Sequence, residues 1–189
     1  MSNTKAEMMN RKAQNQDSQP DRVLESLMIK EGMAVMDLGA GGGYYAIRLS
    51  EIVGQSGQVF AVDSNSEMLS YVDHYLDLLQ KSNVHTVHTN GGVPDVPDES
   101  CDLIFARNVF HHLENPTLFF LALSSKLKPS GRIAILDYKP AKGFSFISLF
   151  KHHSEIDIIF DSMDSAGFKP LEKYEFLKKQ SFTIFERKI

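Results

Sequence analysis

Short apolar runs alternate along the chain with longer segments in which apolar residues recur every three or four positions. The short runs predict buried strands, and the periodic segments predict helices between them. The predicted strands cover 34–38, 58–63, 84–89, 101–106 and 132–137, with two more near 173–177 and 181–186. Helices are predicted over 44–53, 66–80, 116–127 and 154–166, after a first helix that Asp21 caps and Gly32 ends.

This alternation of strands and helices predicts an α/β fold. Strands separated by helices form right-handed βαβ units and a parallel sheet. Only residues 178–180 join the last two strands, and a connection that short permits only an antiparallel pair. The expected architecture is a doubly wound, mainly parallel seven-stranded sheet with one antiparallel strand near the C-terminus.

Composition indicates one domain of ordinary globular type. The 189 residues are 42% hydrophobic and 23% charged, which suits a single sizeable core. Residues 1–20 are polar and are predicted to form a flexible or loosely helical leader. The single folded domain is therefore expected over 21–189, with its oligomeric state left open.

Charge and cysteine content limit the partners and the compartment. The formal net charge is −4, whereas a nucleic-acid-binding chain normally has a basic balance, so no nucleic acid is expected. The single cysteine, Cys101, cannot form an internal disulfide, and a reducing compartment is expected. No apolar stretch approaches the ~20 residues of a membrane span, and residues 1–20 lack a signal-peptide centre. We expect a cytoplasmic protein without membrane insertion.

A glycine-rich turn directly after the first predicted strand is the main chemical signal. Open α/β sheets bind ligands beyond the carboxyl ends of their strands, and glycines there let a ligand approach the backbone. Asp37 lies two residues before Gly39, and Asp63 follows Gly39 by 24 positions, near the spacing at which an acid binds a ribose diol. Met68 and the loop at Asn90 and Gly91 are placed to flank a purine ring.

The main alternative at this turn is a dinucleotide-binding oxidoreductase. Its G-x-G-x-x-G pattern, started at Gly39, requires a small residue at position 44, where this chain has Tyr44. The larger side chain hinders the close approach of the helix to a pyrophosphate. An acid beside the turn also suits a ligand with an amino group and a sulfonium better than a dianion.

Five segments together resemble the motifs of class I S-adenosylmethionine-dependent methyltransferases. Residues 35–43 resemble the first motif, and 61–63 the acid that ends the second strand. The segments 97–102, 108–113 and 127–132 resemble the later motifs, in the family's order. The layout is similar to the branch that contains ubiquinone and menaquinone biosynthesis methyltransferases. The resemblance implies a Rossmann-like methyltransferase fold with S-adenosylmethionine as methyl donor and S-adenosylhomocysteine as product.

The same resemblance implies a role for each cofactor-binding position. Asp37 would lie near the amino group of the methionine part, and Asp63 would hold the ribose hydroxyls. The remaining positions would line the methionine pocket or border the adenine; they are Gly39, Ala40, Gly41, Ser64, Met68, Asn90, Gly91 and Arg107. Asn90 stands where such enzymes often carry an aspartate, and its amide oxygen can accept the same hydrogen bond from the adenine.

The acceptor side of the site is less specified by the sequence. A general base is required only if the acceptor must lose a proton, and the candidates after the fourth and fifth strands are His111, His112, Asp137 and Tyr138. One histidine of the pair has an equally good structural interpretation as a packing or capping residue. An apolar segment at 144–150 could cover the acceptor pocket, and His152 or His153 beside it could point inward.

No metal site is predicted. His74, His85 and His88 lack a cysteine or carboxylate cluster at ligand spacing, and His85 and His88 point to opposite faces of a strand.

The motifs and the charge together predict methyl transfer from S-adenosylmethionine to a small-molecule acceptor. A non-catalytic S-adenosylmethionine-binding protein, or less readily an oxidoreductase, is the alternative.

Overall fold

The computed structural model of the chain describes residues 4–140 and 154–188. The apolar segment at 144–150 and the histidines at 152 and 153, which the sequence assigns to the neighbourhood of the acceptor pocket, lie outside the described residues.

Seven strands form one sheet in the order β3-β2-β1-β4-β5-β7-β6. The strands are β1 (Ala34–Leu38), β2 (Gln58–Asp63), β3 (Val84–His88), β4 (Cys101–Arg107), β5 (Leu127–Tyr138), β6 (Phe168–Tyr174) and β7 (Gln180–Arg187). Pairings from β3 through β5 are parallel, and β7 runs antiparallel to both β5 and β6. The predicted doubly wound sheet with one reversed strand is confirmed.

Helices connect the strands and lie on the two faces of the sheet. In the described residues they are α1 (Thr4–Ala13), α2 (Pro20–Ser26), α3 (Tyr44–Val53), α4 (Ser66–Leu78), α5 (Pro116–Leu123) and α6 (Ile156–Ser165). Short 3-10 helices occur at Gln16–Ser18, Phe110–His112 and Ser124–Lys126. Proline at the first position of α2 starts that helix ahead of Asp21, which lies in its first turn instead of capping it.

The central strands are mostly apolar, on both faces, because both faces of the sheet are covered. On one face, Val35 and Phe105 pack in a cluster that includes residues of α2, α3 and α4. On the other face, Met36 and Ile104 pack in a cluster that includes residues of α5 and α6. All five residues of β1 are buried. This two-sided burial holds the carboxyl end of β1, where the glycine turn begins, in a fixed place.

Two strands, β5 and β6, differ from the sequence prediction by more than one residue at an end. Strand β5 begins at Leu127, which pairs with Cys101 across a register shift in β4, so it starts five residues before the predicted strand 132–137. Strand β6 covers Phe168–Tyr174 and not 173–177. Within the described residues it is an edge strand paired with β7 alone, so most of its side chains are exposed and the apolar alternation that would mark it is absent.

The segment predicted as a polar leader contains a helix where the structure describes it. Helix α1 occupies ten of its residues, and Ala6 and Ala13 are buried with exposed fractions of 0% and 5%. Met9 and Asn10 of the same helix also contact the domain, at Gly41 and Gly42. The described part of the chain contains no helix that is both long and apolar enough to cross a bilayer.

Candidate functional site

The winding of the sheet reverses between β1 and β4, its two central neighbours. Strands added from β1 run through β2 to β3 on one side, and those from β4 run through β5 on the other. Ligands of open α/β sheets bind beyond the carboxyl ends of the strands at such a switch point. The glycine turn follows β1 and the segment from Asn108 onward follows β4, so both lie at this edge.

The turn between β1 and α3 has a backbone that only glycine adopts readily. Gly39, Gly41 and Gly43 have φ angles of 75°, 53° and 81°, in the left-handed region that a Cβ disfavours. The N–H groups of Gly39 and Ala40 both donate to the Val62 carbonyl oxygen, at 2.8 and 2.9 Å. The turn is therefore attached to the end of β2, beside Asp63.

Asp63 shapes the turn as well as offering a carboxylate. Its Oδ2 accepts a hydrogen bond from the Gly41 N–H at 2.8 Å, and its Oδ1 accepts one from the Asn65 N–H at 2.9 Å. Each carboxylate oxygen has two lone pairs, so both can accept a further hydrogen bond from a ligand hydroxyl. The spacing of Asp63 from Gly39 indicated a ligand-binding acid but gave no sign that its side chain also holds the backbone at Gly41 and Asn65.

Asp37 is a buried acid with unused hydrogen-bonding capacity. Its exposed fraction is 2%, and its Oδ2 has no hydrogen-bond partner within the described part of the chain. Burial raises the pKa of Asp37 to about 7, and the nearby Asp63 charge adds to this; the Ala46 N–H and the Arg107 charge oppose it. A buried carboxyl without a full set of partners is costly, so this atom marks a place for a ligand donor.

Arg107 and Tyr45 extend the set of unsatisfied polar atoms beside Asp37. Arg107 Nε and Nη2 and the Tyr45 hydroxyl are buried without hydrogen-bond partners among the described residues. The Arg107 guanidinium lies 5.5 Å from the centre of the Tyr45 ring. Burial raises the pKa of Tyr45 to about 12, so its hydroxyl is neutral at physiological pH. The sequence does not single out Tyr45, because a tyrosine in a predicted helix carries no specific signal of a ligand.

Ser64 and Met68, which were predicted to border a purine, follow β2 but differ in how far they are exposed. Ser64 is exposed, and its carbonyl lies 3.2 Å from His88 Nε2. Met68 is only 3% exposed, so it can offer a purine only a small part of its side chain. Its backbone N–H donates to the Asn65 side chain, which caps α4. The structure therefore brings Ser64 to the site edge but places most of Met68 in the interior.

The loop after β3 is held next to Asp63. The Thr89 N–H donates to the Asp63 carbonyl oxygen at 3.1 Å, and the Thr89 hydroxyl donates to the Gly92 carbonyl at 2.8 Å. Asn90 and Gly91, between these two contacts, are exposed, and Gly91 has a φ of 83°. The side chain of Asn90 is thus available to solvent or to a ligand at this edge of the sheet.

Helix α1 lies against the glycine turn, which the sequence did not indicate. The Asn10 side-chain amide donates to the Gly42 carbonyl oxygen at 2.8 Å. A Cβ added to Gly41 would lie 2.8 Å from Met9 Cε, and one added to Gly42 would lie 2.5 Å from the Ala6 carbonyl oxygen. The absence of side chains at Gly41 and Gly42 therefore admits α1 to the turn.

A histidine–aspartate pair lies at the ends of β4 and β5. His111 Nδ1 is 2.7 Å from Asp137 Oδ1, and the His111 backbone N–H donates to Asp137 Oδ2 at 3.1 Å. The two side chains are 4% and 0% exposed. The sequence suggested both residues separately but not their pairing, because 26 positions separate them and no local pattern joins them.

The other two catalytic candidates lie next to this pair. His112 is an exposed residue, and the centre of its ring is 4.0 Å from that of the His111 ring. Tyr138 contacts the pair through its backbone, whose N–H donates to Asp137 Oδ1 at 2.8 Å. Within residues 4–140 and 154–188, no group of three or more His, Cys, Asp or Glu side chains is arranged to hold a metal ion.

Comparison with known proteins places this geometry in a family. A family model described as "Methyltransferase domain" matches residues 29–174. The ubiquinone/menaquinone biosynthesis C-methyltransferase of Shewanella pealeana is 28% identical over 155 residues, covering 82% of this chain and 61% of that protein. The protein of that name from Psychromonas ingrahamii is 38% identical over 111 residues, covering 58% and 44%. The chain thus spans less than two thirds of these relatives' length.

Solved structures share the whole architecture. A SAM-dependent methyltransferase from Aquifex aeolicus superposes with a TM-score of 0.87 at 27% identity, covering 95% of each chain. An S-adenosylmethionine-dependent methyltransferase from Mesorhizobium loti has a TM-score of 0.73 at 15% identity, covering 88% of this chain and 96% of the other. The second similarity shows the fold alone.

Proposed function

This chain belongs to the methyltransferase-domain family, and on that premise we propose that it transfers a methyl group from S-adenosylmethionine to a small-molecule acceptor. One observation carries the proposal: a glycine turn with a left-handed backbone lies between two acids, Asp37 and Asp63, at the switch point of the sheet.

The unsatisfied polar atoms at this edge fit the groups of S-adenosylmethionine. Asp37 Oδ2 lacks a donor, and the ammonium of the methionine part is one. Arg107 Nε and Nη2 lack an acceptor, and the methionine carboxylate supplies acceptor oxygens. The lone pairs left on Asp63 suit ribose hydroxyls. Buried polar groups of native proteins normally have partners, so a ligand with these functions would complete the site.

The remaining predicted positions would surround the rest of the molecule. Gly39, Ala40 and Gly41 would lie against the methionine part with their backbone, and Ser64 would border the adenine. Asn90, with Gly91 beside it, would accept a hydrogen bond from the adenine amino group. The bound cofactor supplies an electrophilic methyl group on a sulfonium, whose departure leaves a neutral thioether. Much of the catalysis then comes from orientation by these residues.

The acceptor is proposed to be a small molecule because the chain has a net charge of −4. A nucleic-acid substrate would be bound mainly through basic side chains. Methyl transfer measured on tRNA, on protein and on a panel of metabolites tests this. Activity on a macromolecule alone would contradict the proposal.

Calorimetric titration with S-adenosylmethionine and S-adenosylhomocysteine tests the cofactor assignment. We expect micromolar binding by the full chain, weakened at least ~10-fold in Asp63→Ala, which is ~1.4 kcal/mol. Loss of hydrogen bonds to a charged acceptor and of the Gly41 contact both act in this direction. Asp63→Asn keeps an acceptor oxygen and should bind with intermediate affinity.

The matched control is Asp77→Ala, which removes an exposed acid from α4 and should bind as the wild type does. Circular dichroism of each variant establishes that the fold is retained. Absence of heat with both ligands for the wild-type protein would refute the proposed function.

A further inference from the structure

We propose that His111 is the general base of the methyl transfer, and that Asp137 positions its imidazole so that Nε2 accepts a proton from the acceptor. The inference deepens the proposed function and rests on it. It also defines the acceptor chemically: the attacking atom carries a proton that it must lose.

The contacts of Asp137 define its role as a hydrogen-bond acceptor. Its Oδ1 receives the Tyr138 N–H at 2.8 Å, and its Oδ2 receives the His111 N–H at 3.1 Å and the Ser154 hydroxyl at 3.4 Å. Backbone N–H groups can only donate. The carboxylate is therefore surrounded by donors, and the 2.7 Å contact of Oδ1 with His111 Nδ1 is best satisfied by a proton on that nitrogen.

The tautomer of His111 follows from this contact. In a neutral imidazole one nitrogen carries the proton and the other accepts. With the proton on Nδ1, directed at Asp137, the lone pair is on Nε2. A carboxylate that fixes tautomer and ring orientation in this way is the arrangement by which an imidazole is prepared as a base, and it also stabilises the imidazolium that forms.

Burial strengthens the pair. The side chains of His111 and Asp137 are 4% and 0% exposed, so water competes little for the hydrogen bond between them, and the local dielectric is low. The backbone around them is also fixed, because the Asn108 N–H donates to the Leu136 carbonyl at 2.8 Å. A base held by these contacts has its direction set before an acceptor binds.

The pair lies beside the proposed cofactor site. Val109, two residues before His111, packs on the glycine turn: a Cβ added to Gly39 would lie 2.4 Å from Val109 Cγ2. Asp137 is in β5, the strand next to β4, and Arg107 pairs with Leu136. Residues 107–111 therefore connect two parts of the site. Arg107, whose guanidinium lacks hydrogen-bond partners among the described residues, is at one end, and His111 is at the other. Val109, between them, contacts the glycine turn.

The proposed step balances as a displacement with proton removal. The acceptor atom forms a bond to the methyl carbon while the carbon–sulfur bond breaks, and that electron pair stays on sulfur. The proton of the acceptor atom goes to His111 Nε2, giving an imidazolium beside the Asp137 carboxylate. The proton then passes to solvent, and no oxidant or further reactant is required.

The neighbouring candidates fit this role less well. His112 is exposed, so solvent competes for its ring. Tyr138 reaches Asp137 with its backbone N–H, a contact that any residue other than proline makes. His111 has the buried Asp137 carboxylate within hydrogen-bond distance of its ring.

Nitrogen-15 NMR of the histidine rings in the full-length wild-type protein tests the positioning. At pH 7.5 we expect the His111 ring to be protonated at Nδ1, with a low-field Nδ1–H signal that disappears in Asp137→Asn and His111→Gln. His74→Gln, the same change at an exposed histidine of α4, should leave the signal unchanged. A His111 ring protonated at Nε2 in the wild type would overturn the proposal, and this measurement requires no acceptor.

Kinetics with an acceptor from the metabolite panel tests the base itself. His111→Gln should lower kcat by about 100-fold to about 10,000-fold, the usual contribution of a general base, and should leave the affinity for S-adenosylhomocysteine within about two-fold of wild type. Asp137→Asn should lower kcat by a smaller factor without a matching rise in KM. Undiminished kcat in His111→Gln would refute the assignment.

The two proposals fail in different ways. If the wild-type protein binds neither S-adenosylmethionine nor S-adenosylhomocysteine, the proposed function is wrong whatever the tautomer of His111. If it binds and transfers methyl groups while His111→Gln does so equally well, the proposed function stands and the general base is wrong.

Discussion

Replacing Asp37 with asparagine should make the protein more stable and its cofactor binding weaker. Asp37 is 2% exposed, and burial raises the pKa of its carboxyl from 3.8 to about 7. Ionisation of this carboxyl in the folded protein therefore costs free energy that asparagine, similar in shape and neutral, does not require. The acid is maintained at a cost to stability, which suits a residue that serves a ligand.

The sign of the pH dependence follows from the direction of the shift. Between about pH 4 and pH 7 the folded state keeps a proton on Asp37 that the unfolded state has released, so the stability of the wild type falls as pH rises through this window. One pKa unit corresponds to about 1.4 kcal/mol. The shift of Asp37 predicts a penalty of about 2 kcal/mol at pH 5.5 and about 4 kcal/mol at pH 8.5.

Urea unfolding at these two pH values, without cofactor, measures the effect. Asp37→Asn should gain about 2 kcal/mol more in its free energy of unfolding at pH 8.5 than at pH 5.5, relative to the wild type. The control Asp77→Asn alters an exposed acid and should change little at either pH. An equal gain for Asp37→Asn at both pH values would refute the reasoning from burial.

The same variant tests the binding role of Asp37. The neutral amide leaves the cofactor ammonium without a counter-charge, so we expect binding of S-adenosylhomocysteine to weaken by at least ~10-fold, or ~1.4 kcal/mol. A cation beside Asp37 favours its ionised form, so binding at pH 6 should release a proton, detectable as a dependence of the calorimetric heat on the buffer. If Asp37→Asn is more stable but binds S-adenosylhomocysteine with unchanged affinity, the binding role proposed for Asp37 is wrong.

Two further predictions concern the frame of the site, each measured by urea unfolding and by cofactor titration. Gly42→Ala places a Cβ 2.4 Å from Asn10 Oδ1 and 2.5 Å from the Ala6 carbonyl, so it should displace α1 and destabilise the protein by about 1–3 kcal/mol; unchanged stability would show that α1 is held elsewhere. Asn65→Ala removes the oxygen that accepts the Glu67 and Met68 N–H groups and should cost about 1 kcal/mol; Asp77→Ala, at an exposed position of the same helix where the side chain is not a cap, is the contrast.

The cofactor side of this protein is determined largely by local sequence. Strands β1 and β2 and helix α3 begin and end where the apolar pattern places them, because each buries its own residues against the sheet. Glycine lacks a Cβ and so permits the left-handed φ angles at Gly39, Gly41 and Gly43 at low cost. An acid at the end of a parallel strand reaches the same sheet edge as the turn whatever the rest of the chain does.

The acceptor side was decided by tertiary structure. His111 and Asp137 meet because β4 and β5 are neighbours with Arg107 paired to Leu136, and strand register is a property of the assembled sheet. The contact of α1 with the glycine turn and the burial of Met68 likewise depend on packing between distant segments. The apolar pattern of a short segment indicates whether that segment is a helix or a strand. The pairing of His111 with Asp137 depends instead on how two separate strands are placed relative to each other.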